Sequence, residues 1–158
     1  MTKIEIEMMN GDVIKAELYP DVAPITVENF VKLINENFFD GLIFHRVIRG
    51  FMIQGGGYDV NGTHKDAPSI KGEFTSNGVT NNLKHTRGVL SMARTMFPNS
   101  ASSQFFIMHE DAPHLDGQYA AFGMVTEGIE AVDKIAECAT DMGDAPLIPQ
   151  VIKTIRLA

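Results

Sequence analysis

A chain of 158 residues with 44% hydrophobic and 21% charged side chains has the size and composition of an ordinary globular domain. At that length roughly 70% of the unfolded surface can be buried, so no disulfide or metal staple is required. Twenty acidic against thirteen basic residues give a formal charge of -7, the wrong sign for a protein that tracks phosphate backbones, and no apolar run reaches the roughly 18 to 20 residues that span a bilayer; neither nucleic acid nor membrane is expected as a partner.

The first residues alternate Ile4, Ile6 and Met8 against Lys3, Glu5 and Glu7, as a half-buried strand does, and lack the apolar core of a leader peptide. The chain is therefore expected to enter the fold directly. Strands over 3–9 and 13–18 are joined at Asn10-Gly11-Asp12, a hairpin signal. Pro24 followed by Val27, Phe30, Val31 and Ile34 predicts a helix. Strands follow at 44–48 and 51–54. The connection from 55 to 87, rich in Gly, Asn, Asp and Lys, is longer than a typical loop and is either functional or holds a short hidden element. Further strands are expected at 88–93, 103–108 and 119–125, then a helix carrying Ile129, Val132, Ile135 and Ala136, then a strand at 151–157.

No repeat, low-complexity tract or linker divides the sequence, so one domain over 1–158 is expected. Eight short strands with two widely separated helices cannot form a βαβ series, which needs a helix at nearly every crossover. A mainly β fold fits instead: a closed eight-stranded antiparallel barrel capped by two α-helices. Cys138 is the only cysteine, which excludes an intramolecular disulfide and suits a reducing cytoplasm. It reads as a small buried hydrophobe near a helix end.

Several chemistries find no support. Gly57 and Gly62 have phosphate-loop separation, but Thr63 and His64 stand where Lys and Ser/Thr would be needed. His45, His64, His85, His109 and His114 show no i, i+2 or i, i+4 pairing, so neither a metal nor any other cofactor is expected. There is no G-x-S-x-G elbow, although a scattered Ser, His, Asp set could still converge in space.

What remains is two strands. In FHRVIRGFMIQGGG, residues 44–57, alternation puts Arg46 on one face with Phe44 and Ile48, and Met52 together with Gln54. In the second, Gln104, Phe106 and Met108 oppose Phe105 and Ile107. Each offers an amide beside a soft or aromatic apolar group, and two such faces could build one pocket. The alternative is half-buried sheet surface with Arg46 as an edge charge. Gly55, Gly56 and Gly57 either make room beside such a groove or form a plain bend.

F-H-R-V-I-R-G-F-M-I-Q-G-G at 44–56, G-V-L-S-M-A at 88–93, S-Q-F-F-I at 103–107 and L-D-G at 115–117 resemble the cyclophilin family of peptidyl-prolyl isomerases. V-x-N-F at 27–30 and L-K-H-T at 83–86 extend the likeness over essentially the whole chain, and A-R-T-x-x-P-N-S at 93–100 resembles the small bacterial members. The resemblance implies an outer-surface active site, with Arg46 as the catalytic arginine and the proline pocket on Phe51, Met52, Phe106 and Leu115. It puts polar contacts on His45 and Gln54, and the groove for residues before the proline on Ala93 and Gln104. Tyr119 stands where many members have histidine and Arg94 where many have asparagine. His114 occupies the place of a tryptophan in the best cyclosporin binders. Implied partners are proline-containing peptides and unfolded proteins, met by a monomer that assists folding and binds cyclosporin weakly. The rival is a proline-reading binding module that uses the same groove without turnover.

Overall fold

The computed structural model describes all 158 residues. Its eight strands are β1 (Thr2–Met8), β2 (Val13–Leu18), β3 (Leu42–Ile48), β4 (Met52–Asp59), β5 (Val89–Met92), β6 (Phe105–Met108), β7 (Ala121–Glu127) and β8 (Ile152–Leu157), with helices α1 (Pro24–Asn35) and α2 (Ile129–Ala136). The strands form one antiparallel sheet in the order β3-β4-β6-β5-β7-β2-β1-β8. An Ile43–Val151 bridge and a bond from the Phe44 N–H to the Gln150 carbonyl bring its two ends together into a nearly closed barrel. No helix is long and apolar enough to cross a membrane.

The first hairpin turns where expected: Gly11 has φ +94° and the Asn10 carboxamide oxygen accepts the Asp12 N–H at 2.9 Å. Helix α1 buries Thr26, Val27, Phe30, Leu33 and Ile34 along one face. The Phe30 ring sits 5.2 Å from those of Phe105 and Phe122, so the helix closes the barrel with an aromatic plug that continues through Phe39 and Phe44. Deleting one such ring typically costs about 3 to 5 kcal/mol. Cys138 follows α2 half-buried, and burial raises its thiol pKa, so it is a poor nucleophile.

The departures from simple alternation are concentrated where the glycines lie. Strand β4 runs to Asp59 instead of stopping at 54, so Gly55, Gly56 and Gly57 are strand residues and not a bend. A Cβ on Gly55 would lie 2.7 Å from the Ile43 carbonyl oxygen and 2.8 Å from the Phe44 ring. Against this tight stretch the β3–β4 register shifts twice: Leu42 pairs with Asp59, Phe44 with Gly55, and Arg46 with Gln54. The second shift inserts His45 as one extra residue, a bulge that flips the alternation. Phe44 and Val47 both point into the core, while Arg46 is exposed. Arg46 and Phe44 therefore do not share a face, contrary to the period-of-two expectation; the bulge turns the guanidinium out of the barrel.

The 55–87 connection holds the second half of β4 and a 3₁₀ turn at Thr75–Asn77, the short element its length suggested. Apolar residues divide between 31 buried in the barrel and its helices and a separate cluster of seven, including Met52, Phe106, Met108 and Leu115. That second cluster is the outer face of β4 and β6 covered by the segment after β6, and the groove forms over it.

Candidate active site

The register of β4 on β6 sets Gln54 opposite Phe106 and Met52 opposite Met108, on the side away from Ile53 and Ile107. Beyond β6, a 3₁₀ turn at Pro113–Leu115 folds Leu115 back against them. The result is one groove of about 410 Å³ lined by Arg46, Phe51, Met52, Gln54, Ala93, Arg94, Phe106, His114, Leu115 and Tyr119. All ten were singled out by sequence motif. Gln104 lines an adjoining polar recess of about 150 Å³ that shares Gln54, Ala93 and Arg94 with the groove.

His45 is the exception. As the bulge residue it faces a second cavity, of about 300 Å³, shared with Tyr58 and Pro146, and its ring lies 4.6 Å from that of Tyr58. Burial, with Arg46 next door, pushes its pKa down to about 4, and its Nδ1 has no hydrogen-bond partner. The structure does not bring His45 into the groove, because one inserted residue reverses the direction of its side chain.

The groove is apolar at its floor and polar along one edge. Met52, Phe106 and Leu115 are buried; Phe51 stacks on His114 at 5.9 Å and 29°; Tyr119 meets Phe106 edge-on at 5.8 Å. On the edge, Arg46 Nη1 donates to Gln54 Oε1 over a long 3.4 Å, and Gln54 Nε2 donates to Gln104 Oε1 at 3.0 Å. That first bond is weak, which leaves the exposed guanidinium available to another acceptor. Gln104 lies against Gly57, where a Cβ would stand 2.5 Å from its Cγ. The glycine thus makes room for the amide that orients Gln54.

Arg94 is a fixed wall and not a loose cation. Its guanidinium lies 4.7 Å from both the Phe74 and Tyr119 rings, donates Nε and Nη2 to the Gln118 carbonyl at 3.1 and 2.6 Å, and donates Nη1 to the Thr95 carbonyl at 2.9 Å. No sequence pattern ties Phe74 to position 94, and this partition between groove and recess was not legible beforehand.

Two further clusters come together. Asp116, His85 and Ser91 form a hydrogen-bonded line, with Nδ1 of His85 3.1 Å from Asp116 Oδ1 and Nε2 2.8 Å from Ser91 Oγ. This is the Ser, His, Asp convergence that sequence spacing left open. Ser91 is 0% and His85 1% exposed, so no substrate carbonyl can meet that hydroxyl and hydrolysis has no site there. His109, Asp133 and Glu137 also place ligand atoms within 4.8 Å of one another. Two of the three are engaged within the protein: Arg87 donates to both Asp133 oxygens at 2.7 Å, and His109 accepts the Gly50 N–H on Nδ1 at 2.9 Å while its Nε2 lies 3.2 Å from Asp133 Oδ1. The Arg87 hydrogen bonds hold the Asp133 carboxyl below the usual range.

Residues 3–157 match the family described as cyclophilin type peptidyl-prolyl cis-trans isomerase. The chain is 50% identical to peptidyl-prolyl cis-trans isomerase B of Bacillus subtilis over 121 residues, covering 77% of this chain and 81% of that one. It is 40% identical to the isomerase ppi1 of Schizosaccharomyces pombe over 159 residues, covering 99% and 100%. Among solved structures, a cyclophilin type peptidyl-prolyl cis-trans isomerase of Cryptosporidium parvum superposes with a TM-score of 0.88 at 32% identity, covering 99% of this chain and 97% of that one. A second structure of that protein, solved in the presence of the dipeptide Ala-Pro, gives 0.84 at 31% identity, covering 99% and 98%.

Proposed function

This chain belongs to the cyclophilin-type peptidyl-prolyl cis-trans isomerases, and from that premise we propose that Arg46 drives the rotation by hydrogen-bonding the prolyl nitrogen as the amide twists. The observation that carries this is the exposed, weakly engaged guanidinium standing at the edge of an apolar hole made by Phe51, Met52, Phe106 and Leu115.

An X-Pro bond rotates in tens to hundreds of seconds unaided, because amide resonance must be broken against a barrier of roughly 18 to 20 kcal/mol. Raising about 0.01 per second to about 1,000 per second takes five decades, or roughly 7 kcal/mol of selective stabilisation of the twisted state. Binding both states equally supplies none of it. The planar amide is charge-separated and favoured by water; the twisted amide is less polar and carries a localised lone pair on nitrogen. The apolar hole favours the second, and a guanidinium donor at that lone pair favours it further. Arginine suits this role because it stays charged and presents several donors in a rigid plane. Gln54, held by Gln104, fixes the backbone on one side of the bond while the other turns. The Ala-Pro dipeptide named with the Cryptosporidium parvum relative supports a proline-containing peptide as the occupant here. The protein acts as a monomer on exposed prolines of unfolded and folding chains, within the cytoplasm.

NMR exchange spectroscopy on a short Ala-Pro peptide tests the enzyme against a mere binder: accelerated cis/trans exchange at substoichiometric protein is expected, and shifted resonances without faster exchange would reject turnover. The same measurement should change little between about pH 6 and 9 and be indifferent to chelators, because no titrating base is used. Stability behaves differently. Burial depresses the folded pKa values of His45, to about 4, and of His85 from the ordinary histidine value, so below about pH 6.5 the unfolded chain binds more protons than the folded one. Resistance to urea should be full above that value and fall as pH drops towards 4, an effect that His45→Gln reduces.

A further inference from the structure

Within this proline groove, we propose that His85 is a positioning residue for turnover, the mount that joins the two walls of the proline hole. The walls come from distant parts of the chain: Phe106 from β6, and His114 with Leu115 from the 3₁₀ turn. His85 touches both. Its ring lies beneath Phe106, 6.0 Å away and tilted by only 19°, and meets Tyr119 edge-on at 6.5 Å. Its Nε2 binds Ser91, which sits directly opposite Phe106 in the β5–β6 ladder. On the other wall, Asp116 Oδ1 accepts both the backbone N–H of His85 at 2.6 Å and the ring at 3.1 Å, and the His85 carbonyl accepts the Ala112 N–H at 2.9 Å. Ala112 and Asp116 bracket the turn that carries His114 and Leu115.

The hydrogen-bond roles follow from the partners. Asp116 Oδ1 already acts as an acceptor for the His85 backbone N–H, so Nδ1 carries the ring proton and Nε2 accepts from the Ser91 hydroxyl. Burial lowers the imidazole pKa more than Asp116 raises it, which keeps the ring in this neutral form. A buried ring with both nitrogens committed has one orientation, and it sets the tilt of Phe106 and its distance from Leu115. A proline ring fills that gap in either isomer, so His85 acts chiefly on occupancy of the hole, whereas Arg46 acts on the twist.

The test compares variants by exchange spectroscopy and by NMR of the imidazole nitrogens. His85→Phe keeps a ring beneath Phe106 and drops both nitrogen bonds; it should lower kcat/KM about 10- to 50-fold, mostly through KM. Asp116→Ala should do the same. Asp116→Asn, which keeps an acceptor oxygen for Nδ1–H, should stay within about threefold of the parent. The parent and Asp116→Asn should show a protonated Nδ1 and an unprotonated Nε2, and saturating Ala-Pro peptide should move both signals. Parental kcat/KM in folded His85→Phe, or equal losses in Asp116→Asn and Asp116→Ala, would overturn the proposal. If the variants do not fold, the parent decides it, because His85 signals unmoved by peptide are incompatible with a mount beneath the proline. A parent that fails to accelerate exchange sinks the groove reading itself, whereas an active parent with indifferent His85 variants sinks only this inference.

Discussion

Arg46→Ala is expected to lower kcat about 10²- to 10³-fold, the usual cost of removing one preorganised donor aimed at a transition state. The dissociation constant of an Ala-Pro peptide should change much less, since in the proposed pose the proline ring packs on Phe51, Met52, Phe106 and Leu115, the apolar part of the groove lining, and not on the guanidinium. Stability should stay within about 0.5 kcal/mol, because Arg46 is exposed and its bond to Gln54 is 3.4 Å long. Arg46→Lys should recover little of the rate: a point charge on a flexible stem keeps the sign but loses the rigid plane of donors. Exchange spectroscopy for turnover, peptide titration for affinity and circular dichroism for the fold separate the three effects. A kcat within twofold of the parent would show that the apolar hole works without the guanidinium. A loss confined to peptide affinity would make Arg46 a binding residue and nothing more.

Much of this site was legible because strand alternation and motif spacing act locally. Gln54 beside Met52, and Phe106 beside Met108 with Phe105 and Ile107 opposite, follow from the period of two alone, and the β4–β6 register then aligns them. The barrel followed from eight short strands with too few helices for parallel crossovers. Alternation failed at 44–46 because a bulge is a register event between two strands: nothing in F-H-R says which residue lacks a partner, and only the crowding of Gly55 against Ile43 and Phe44 brings the break into view. The same event took His45 out of the groove. Arg94 between Phe74 and Tyr119, and His85 between Ser91 and Asp116, were hidden for another reason. Their partners lie 6 to 31 positions away with no periodicity linking them. L-K-H-T marked position 85 as part of a motif without indicating that its imidazole is 1% exposed and stacked on Phe106 under the groove.

His114→Trp is expected to tighten cyclosporin binding roughly 30-fold to 150-fold relative to the parent, corresponding to about 2 to 3 kcal/mol. The cyclophilins that bind this cyclic peptide best carry tryptophan just before L-D-G, and this chain contains no tryptophan at all. His114 stands exposed on the rim of the groove with its ring stacked on Phe51 at 5.9 Å. An indole there would extend that stack into a larger apolar wall and add an N–H donor for the inhibitor backbone, whereas an imidazole is smaller and more hydrated. Under the proposed function small proline substrates pack on the buried floor of Met52, Phe106 and Leu115, so their turnover should differ little between parent and variant. Arg94 is a second candidate determinant of cyclosporin affinity, because it lines the same groove. Its guanidinium is held by two rings and two carbonyls, so Arg94→Asn, which frees that space, should add a separate gain. Inhibition titrations of the parent, each single variant and the double variant against one Ala-Pro peptide apportion the two contributions. A parent that already binds cyclosporin as tightly as His114→Trp rules out the missing indole as the determinant.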